Sequence, residues 1–239
     1  MRILHSLRDP DSRFSVAHRM RTRRFAFFRE WVAALPRPIR ILDVGGTEDY
    51  WVRMGFIDPA EVELTIVNLD PPAPQRPNVR THAGDACAMP EFADAAFDVA
   101  FSNSVIEHVG DYARQRAMAS EIQRIGRRYF VQTPSRSFPI EPHFMFPWFQ
   151  FLPLTWKAWL LMHLSLTFGG KLPTREAAIE TARSVELLGE AEFTRLFPGA
   201  RLYREKLAGL TKSFIVYGSG SGGAADPAAL RPGGQERTA

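Results

Sequence analysis

Apolar residues along the first half of the chain come in four short runs, each closed by a polar or acidic residue. Ile39, Ile41 and Leu42 lead into Asp43 and then Gly45-Gly46. Leu64-Thr-Ile-Val-Asn-Leu runs into Asp70 and the breaker Pro71-Pro72. Val79-Arg-Thr-His-Ala ends in Gly84-Asp85, and Phe97-Asp-Val-Ala-Phe-Ser102 ends in Asn103-Ser104. Short apolar runs bounded by breakers read as buried strands, and strands buried on both faces belong to parallel sheets. Ligands of an open α/β sheet bind at the carboxyl ends of its strands, so Asp43, Gly45 and Gly46 are expected to line a pocket. The glycine pair lets the backbone turn tightly and approach a ligand without a Cβ in the way.

Helical periodicity appears between and beyond these runs. Arg19 to Leu35 predicts a helix with Phe25, Phe28, Trp31 and Val32 on one face and arginines mostly between them. Asp111 to Ile125 predicts a second, capped by Asp111, with Tyr112, Met118, Ile122 and Ile125 as its apolar stripe. Tyr129 to Thr133 reads as a fifth strand, stopped at Pro134. The Pro134–Phe144 stretch reads as a loop over the pocket. Glu190 to Phe197 predicts a helix, and Ala200–Tyr203 and Lys212–Tyr217 predict a closing antiparallel pair. The pattern is therefore α/β, a Rossmann-like three-layer sandwich around a seven-stranded, mostly parallel sheet whose last strand is antiparallel. It divides into an N-terminal basic helical segment (1–37), a ligand-binding domain (38–217) with an apolar insertion at 138–185, and a Gly/Ser/Ala/Pro-rich tail (218–239) expected to be disordered.

Composition narrows the class. A chain of 239 residues, 45% of them hydrophobic, can bury one sizeable core. The one cysteine, Cys87, excludes an internal disulfide and reads as a small filler beside the pocket. Charged residues interrupt the apolar positions after Met1, so no secretory leader is expected and a cytoplasmic location is. Residues 1–40 hold ten arginines against Asp9, Asp11 and Glu30, although the net charge is only +4. That basic face is expected to be solvated, or to meet anionic headgroups or an acidic partner. No nucleic-acid motif accompanies it, and nucleic acid is not the expected partner. The aromatic-rich segment Phe144–Phe168 is interrupted by Pro147, Gln150, Pro153, Lys157 and His163, which argues against a membrane span. It is expected to be a lid, or an interfacial segment with its tryptophans at a membrane surface.

Leu42-Asp-Val-Gly-Gly46, Leu69-Asp70, Gly84-Asp85-Ala86 and Phe97-Asp-Val-Ala-Phe-Ser-Asn-Ser-Val-Ile-Glu-His-Val109, in that order, resemble the motifs of class I S-adenosylmethionine-dependent methyltransferases of the type 11 group. The likeness covers roughly residues 38 to 135 and departs from the family where Thr47-Glu48 replaces a third glycine. It implies S-adenosylmethionine as cofactor. Asp43 and the Gly45 and Gly46 amides would hold the methionine portion and Asp70 the ribose. Asp85 with Ala86 would read adenine, Ser102 and Asn103 would belong to the cofactor site, and Asn103 and Ser104 would line the methyl-transfer channel. The Pro134–Phe144 loop resembles a stretch of type 11 members that places Arg136, Glu141 and His143 on the substrate side. Phe138 and Trp148 are further substrate candidates.

For a hydroxyl or phenol acceptor a base helps, and His108 and His143 compete for that role, with Glu141 or no base at all as alternatives. His5, His18, His82 and His163 read as structural or surface residues, and one cysteine with scattered histidines predicts no metal site. The expected activity is O-methylation of a small or lipid-linked biosynthetic metabolite, with peripheral membrane contact. A catalytically silent methyltransferase-like scaffold and, less favoured, an RNA methyltransferase are the alternatives.

Overall fold

The computed structural model describes residues 16–144, 146–167 and 169–221. The chain runs α1 (Val16–Trp31), β1 (Ile39–Val44), α2 (Glu48–Arg53), β2 (Val62–Asn68), β3 (Val79–Ala83), β4 (Val99–Asn103), α3 (Tyr112–Ile125) and β5 (Arg128–Pro134). An insertion follows, with β6 (Ile140–Glu141), β7 (Phe146–Pro147), α4 (Leu154–His163) and α5 (Arg175–Arg183). The chain then closes through α6 (Glu190–Leu196), β8 (Arg201–Leu207) and β9 (Leu210–Ser219).

Seven strands form one sheet in the order β3-β2-β1-β4-β5-β9-β8. The pairs from β3 to β5 are parallel, and β9 is antiparallel to both β5 and β8. The strand order reverses between β1 and β4, which makes their carboxyl ends the crevice where ligands bind. Alternate residues of the strands feed two cores. Ile39, Ile41, Leu64, Ile66, Phe101 and Phe130 face α1 and α2, whereas Leu42, Val44, Val67, Ala100 and Val131 face α3 and α6. Helices on both faces complete the three layers.

Helix α1 begins at Val16, three residues before the expected start. Its Phe25, Phe28 and Trp31, and Val32 just past its end, are all buried as the periodicity predicts. Phe28 packs on Phe101 with ring centroids 4.9 Å apart, Phe25 on Trp51 at 5.6 Å, and Phe101 stacks on Phe130 at 5.7 Å. Such pairs add about 0.5–1.5 kcal/mol each beyond area burial. Asp111 caps α3 by accepting from the Arg114 amide at 3.0 Å. Tyr112, however, lies outside the stripe and is exposed, because six residues before Met118 is about a third of a turn off that face.

The Pro134–Phe144 stretch is not a bare loop. It holds β6, which pairs with β7 through Ile140–Pro147 and Glu141–Phe146. Beyond it, the aromatic segment forms a turn of 3-10 helix (Phe149–Phe151) and the ten-residue α4, rather than one long helix, because Pro153 and the break after His163 bound it. Phe144, Phe149, Ala158, Leu161, Ala178 and Ala182 give the insertion its own small core. No helix among the described residues is long and apolar enough to cross a membrane. Strand β9 runs to Ser219, and Gly220 and Ser221 donate to the carbonyls of Arg127 and Gln123. Of the sequence features singled out above, Met145, Phe168, His5, residues 1–15 and the tail beyond 221 lie outside the described residues.

Candidate functional site

The crevice opens where β1 ends. Asp43 is almost completely buried there, and its Oδ2 accepts from Trp51 Nε1 at 2.6 Å. Burial outweighs that bond and pushes the carboxyl up to a pKa of about 7. Gly45 adopts φ +82°, and a Cβ there would strike Val105; a Cβ on Gly46 would strike the Asp43 carboxylate. The pair is thus required both for the turn and for the close approach of Asp43 and Val105. Asn68, at the end of β2, braces the turn by donating to the Gly46 carbonyl at 3.2 Å.

The departure at Thr47-Glu48 has a local reason. The Glu48 carboxylate turns away from the crevice to accept from Arg76 Nη1 at 2.6 Å and the Gln75 amide at 2.8 Å, which ties the 71–76 loop to the start of α2. Its negative charge is therefore neutralised rather than aimed at a ligand. The Gly46 and Thr47 amides donate to nothing among the described residues, and the exposed Asp70 carboxylate has no partner among them. Two free amides beside a buried acid, with an acceptor pair at the next strand, fit the carboxylate, ammonium and ribose of S-adenosylmethionine.

Asp85 sits across the crevice in a tight turn, where its Oδ1 accepts from the Cys87 amide at 2.9 Å. Arg114 donates to both its oxygens, at 3.0 and 2.9 Å. The Cys87 amide and Arg114 hold the Asp85 carboxyl below the usual aspartate range. Ala86 lies beside it, half-buried. Ser102 is fully buried and donates to the Val44 carbonyl at 3.1 Å, so its hydroxyl serves the sheet.

Asn103 and Ser104 sit at the mouth of β4. Ser104 holds the left-handed conformation at φ 58°, fixed by its amide on the Gln132 carbonyl and its hydroxyl on Gln132 Oε1 at 2.9 Å. Asn103 Oδ1 accepts from Arg24 Nη1 at 2.5 Å. Arg24, on α1, is only 7% exposed; it also donates to Gln132 Oε1 at 2.9 Å and to Glu205 Oε2 at 2.6 Å. Ser213 donates to the same Glu205 oxygen. The basic face of α1 is therefore not wholly solvated: one of its arginines runs inward to the floor of the crevice.

Beyond the mouth of β4, Ile106–His108 form one turn of 3-10 helix. Glu107 is fully buried and accepts from Thr133 Oγ1 at 3.0 Å through Oε2. Burial pushes its pKa up to about 7. The His108 and His143 rings meet edge to face with centroids 4.7 Å apart, and His143 Nδ1 lies 2.6 Å from Glu141 Oε1. His108 keeps an exposed edge, but desolvation of the part that packs against its neighbours, followed by the charge of His143, holds it below the ordinary histidine value. For His143, burial works in the same direction but the Glu141 hydrogen bond and the charges of Glu141 and Glu107 overcome it, so its pKa is raised. The two base candidates and Glu141 are thus one cluster whose two imidazoles are shifted in opposite directions, and Glu107, His108 and His143 each bring one ligand-capable atom within 4.8 Å of the others.

Arg136 pairs with Glu192 at 2.8 Å and its amide bonds the Leu188 carbonyl, which directs it toward the start of α6. The Phe138 carbonyl accepts from Gln150 Nε2 at 2.8 Å, and Trp148, in the left-handed region at φ 59°, is exposed. Arg24, Trp51, Asn68, Glu107 and Arg114 escaped sequence reasoning. Glu107 alone carried a local signal, as the acid preceding His108 in the Glu-His pair.

The methyltransferase-domain family profile matches residues 16–175. No curated protein sequence matches the chain. Among solved structures, the CurJ carbon methyltransferase superposes with a TM-score of 0.55 at 12% identity, covering 86% of this chain and 55% of its own. The Burkholderia thailandensis 1,6-didemethyltoxoflavin-N1-methyltransferase, solved with 1,6-didemethyltoxoflavin and S-adenosylhomocysteine, superposes with a TM-score of 0.50 at 17% identity, covering 92% of this chain and 85% of its own. Both are likenesses of fold. The family match spans well over half the sequence, from Arg24 through His143, and the chain belongs to the methyltransferase-domain family as a class I, type 11-like enzyme that uses S-adenosylmethionine.

Proposed function

We propose that this methyltransferase methylates an oxygen of a small or lipid-linked metabolite. The observation that carries the reading is the His108–His143–Glu141 cluster on the acceptor side of β4, where two imidazoles of opposite pKa displacement meet. Nitrogen and carbon acceptors with a ready lone pair or enolate need less help, whereas a hydroxyl gains from a group that takes its proton. S-adenosylmethionine, when bound, would supply an electrophilic methyl and leave as the neutral thioether with the C–S electron pair, while the acceptor's hydroxyl proton would pass to the cluster.

The residues of the crevice have matching tasks. Asp43 and the free Gly46 amide receive the methionine ammonium and carboxylate, Asp70 the ribose hydroxyls, and Asp85 with Ala86 the adenine edge. Asn103, held by Arg24, and the strained Ser104 line the path of the methyl group. Alignment of the nucleophile behind the methyl is worth on the order of 7 kcal/mol or more in favourable cases. Phe138 and Trp148 lie on the acceptor side, and the exposed tryptophans of the insertion support a hydrophobic or lipid-linked acceptor.

The test is incubation of the purified protein with methyl-labelled S-adenosylmethionine and host extract, followed by partition between organic solvent and water. Label in the organic phase, absent with Asp70→Ala and reduced at least about tenfold with His143→Ala, is the expected result. Label confined to water-soluble products overturns the lipid-linked acceptor. Tight cofactor binding with no transfer to any fraction overturns the enzymatic reading in favour of a silent scaffold.

A further inference from the structure

Glu107 holds an atom the mechanism above leaves unexplained. Its Oε1 is fully buried and has no hydrogen-bond partner, although Oε2 of the same carboxylate is satisfied by Thr133. An orphaned carboxylate oxygen in a protein interior is costly and calls for a cation or donor. What faces it is a pair of imidazoles: one ligand-capable atom from each of Glu107, His108 and His143 lies within 4.8 Å of the other two, and His143 Nε2 is 4.0 Å from Oε1.

Both rings are held from behind. His143 Nδ1 lies 2.6 Å from Glu141 Oε1, while the other oxygen of Glu141 accepts from the Phe144 amide at 2.7 Å and so cannot swing away. His108 Nδ1 lies 3.2 Å from the Ser184 carbonyl. A carbonyl only accepts, so Nδ1 of His108 carries the proton; the same arrangement holds for neutral His143 against its carboxylate. In each ring the lone pair is then left on Nε2. Metal-ligating histidines have this outer arrangement, in which a carboxylate or carbonyl fixes the tautomer and the ring plane.

We propose that Glu107, His108 and His143 bind one divalent transition-metal ion of the zinc and manganese kind, with Glu141 and the Ser184 carbonyl as the groups that orient the two imidazoles. Two imidazoles and one carboxylate suit such ions and are too rich in nitrogen for calcium or magnesium. Ligand atoms around a tetrahedral ion stand about 3.3 Å apart, so the three groups would draw together by up to about 1.5 Å, a shift within reach of the side-chain torsions of His108. The ligands come from the turn after β4 and from the insertion, so the ion would also pin the insertion to the sheet. Three protein ligands leave positions open for an acceptor oxygen. A hydroxyl bound there loses its proton to water more readily, so the ion does the work assigned above to the cluster. That catalytic consequence rests on the proposed acceptor side; the binding itself does not.

Chelator-treated protein titrated with cobalt(II), and then with zinc, tests the proposal. The expected result is one ion per chain, visible absorption from the cobalt form that zinc displaces, and a higher thermal midpoint. His143→Ala and His108→Ala should weaken binding at least about tenfold, and Glu141→Gln about 10–100-fold through ring orientation. His108→Ala is the decisive variant because its side chain is exposed and its loss leaves the core intact; Glu107→Gln is informative where circular dichroism shows it folded. Asp70→Ala should bind the ion as the parent does while losing methyl transfer, which separates the fate of this site from that of the methyltransferase reading. No cobalt absorption, or binding indifferent to both histidine substitutions, overturns the site.

Discussion

Asp43 is a single acid whose burial costs the fold stability at neutral pH. It sits in a closed pocket with one donor, Trp51, and its pKa rises to about 7. A carboxyl whose folded pKa exceeds its unfolded value binds more protons when folded, so it contributes its stability at acid pH and loses it as the pH climbs toward the folded pKa. For Asp43 the window runs from the ordinary aspartate value of 3.8 to about 7. Asp43→Asn keeps an oxygen for Trp51 and removes the titration. In the cofactor-free protein, its stability relative to the parent should therefore grow from about pH 4 to about pH 7 and then level off, by on the order of 4 kcal/mol at most. Urea unfolding at about pH 4.5 and about pH 8 checks this; a gap that is flat across the two, or that shrinks toward high pH, contradicts the assignment. Affinity for S-adenosylmethionine should fall in the same variant, since the neutral amide no longer attracts the ammonium.

Among the elements, α1 has a role beyond packing. Through Arg24 it inserts a guanidinium beneath Asn103, balanced by Glu205 on β8, so a helix before the sheet and a strand near its end jointly fix the mouth of β4. Arg24→Met leaves Glu205 buried with Ser213 as its hydrogen-bond donor, and removing one partner of a buried pair costs about 3–5 kcal/mol. Adding Glu205→Gln should recover much of that stability, but not cofactor affinity, because Asn103 still lacks its anchor. Denaturation midpoints and calorimetric binding of S-adenosylmethionine on both variants separate the two effects. An Arg24→Met protein as stable as the parent would contradict the buried pair.

This latch was invisible in the sequence for a physical reason. The central strands could be read because strands buried on both faces leave continuous apolar runs, and the Phe25-Phe28-Trp31-Val32 stripe because it repeats at the helical period. Arg24 stands four residues before Phe28 and seven before Trp31, on the stripe's own face, but an arginine there reads as a solvated end of the stripe, and its partner Glu205 is 181 residues away. The same holds for the acceptor side. His108 and His143 could each be picked out as candidate bases, but their contact depends on the two-residue β6 and β7, elements too short to show any period. Strand ends shifted too: β2 stops at Asn68, which leaves Asp70 in the following loop, because Pro71-Pro72 denies the ladder its donors.

At the scale of the whole molecule, exposed apolar surface is concentrated rather than scattered. Of nine exposed large hydrophobic residues among the described residues, six (Ile140, Trp148, Phe151, Trp156, Trp159 and Leu164) fall in the insertion. Trp156 and Trp159 stand three residues apart on α4, 64% and 55% exposed, while Ala158, Leu160 and Leu161 of the same helix fill the insertion's own core. The helix therefore already has a buried face, and its tryptophans are surplus to folding. Trp148 and Phe151 form a second exposed pair with centroids 6.1 Å apart, presented by a left-handed backbone at Trp148. Tryptophans prefer the headgroup level of a bilayer, and an enzyme with a lipid-linked acceptor gains by resting there. Replacing both Trp156 and Trp159 by serine should change unfolding free energy by no more than about 0.5 kcal/mol per site, as for surface positions. It should lower binding to anionic phospholipid vesicles at least about tenfold in co-sedimentation, and reduce turnover of an organic-soluble acceptor while sparing that of a soluble analogue. A large loss of stability would instead make the pair part of a folded lid, and equal vesicle binding by parent and variant would remove the membrane from the account.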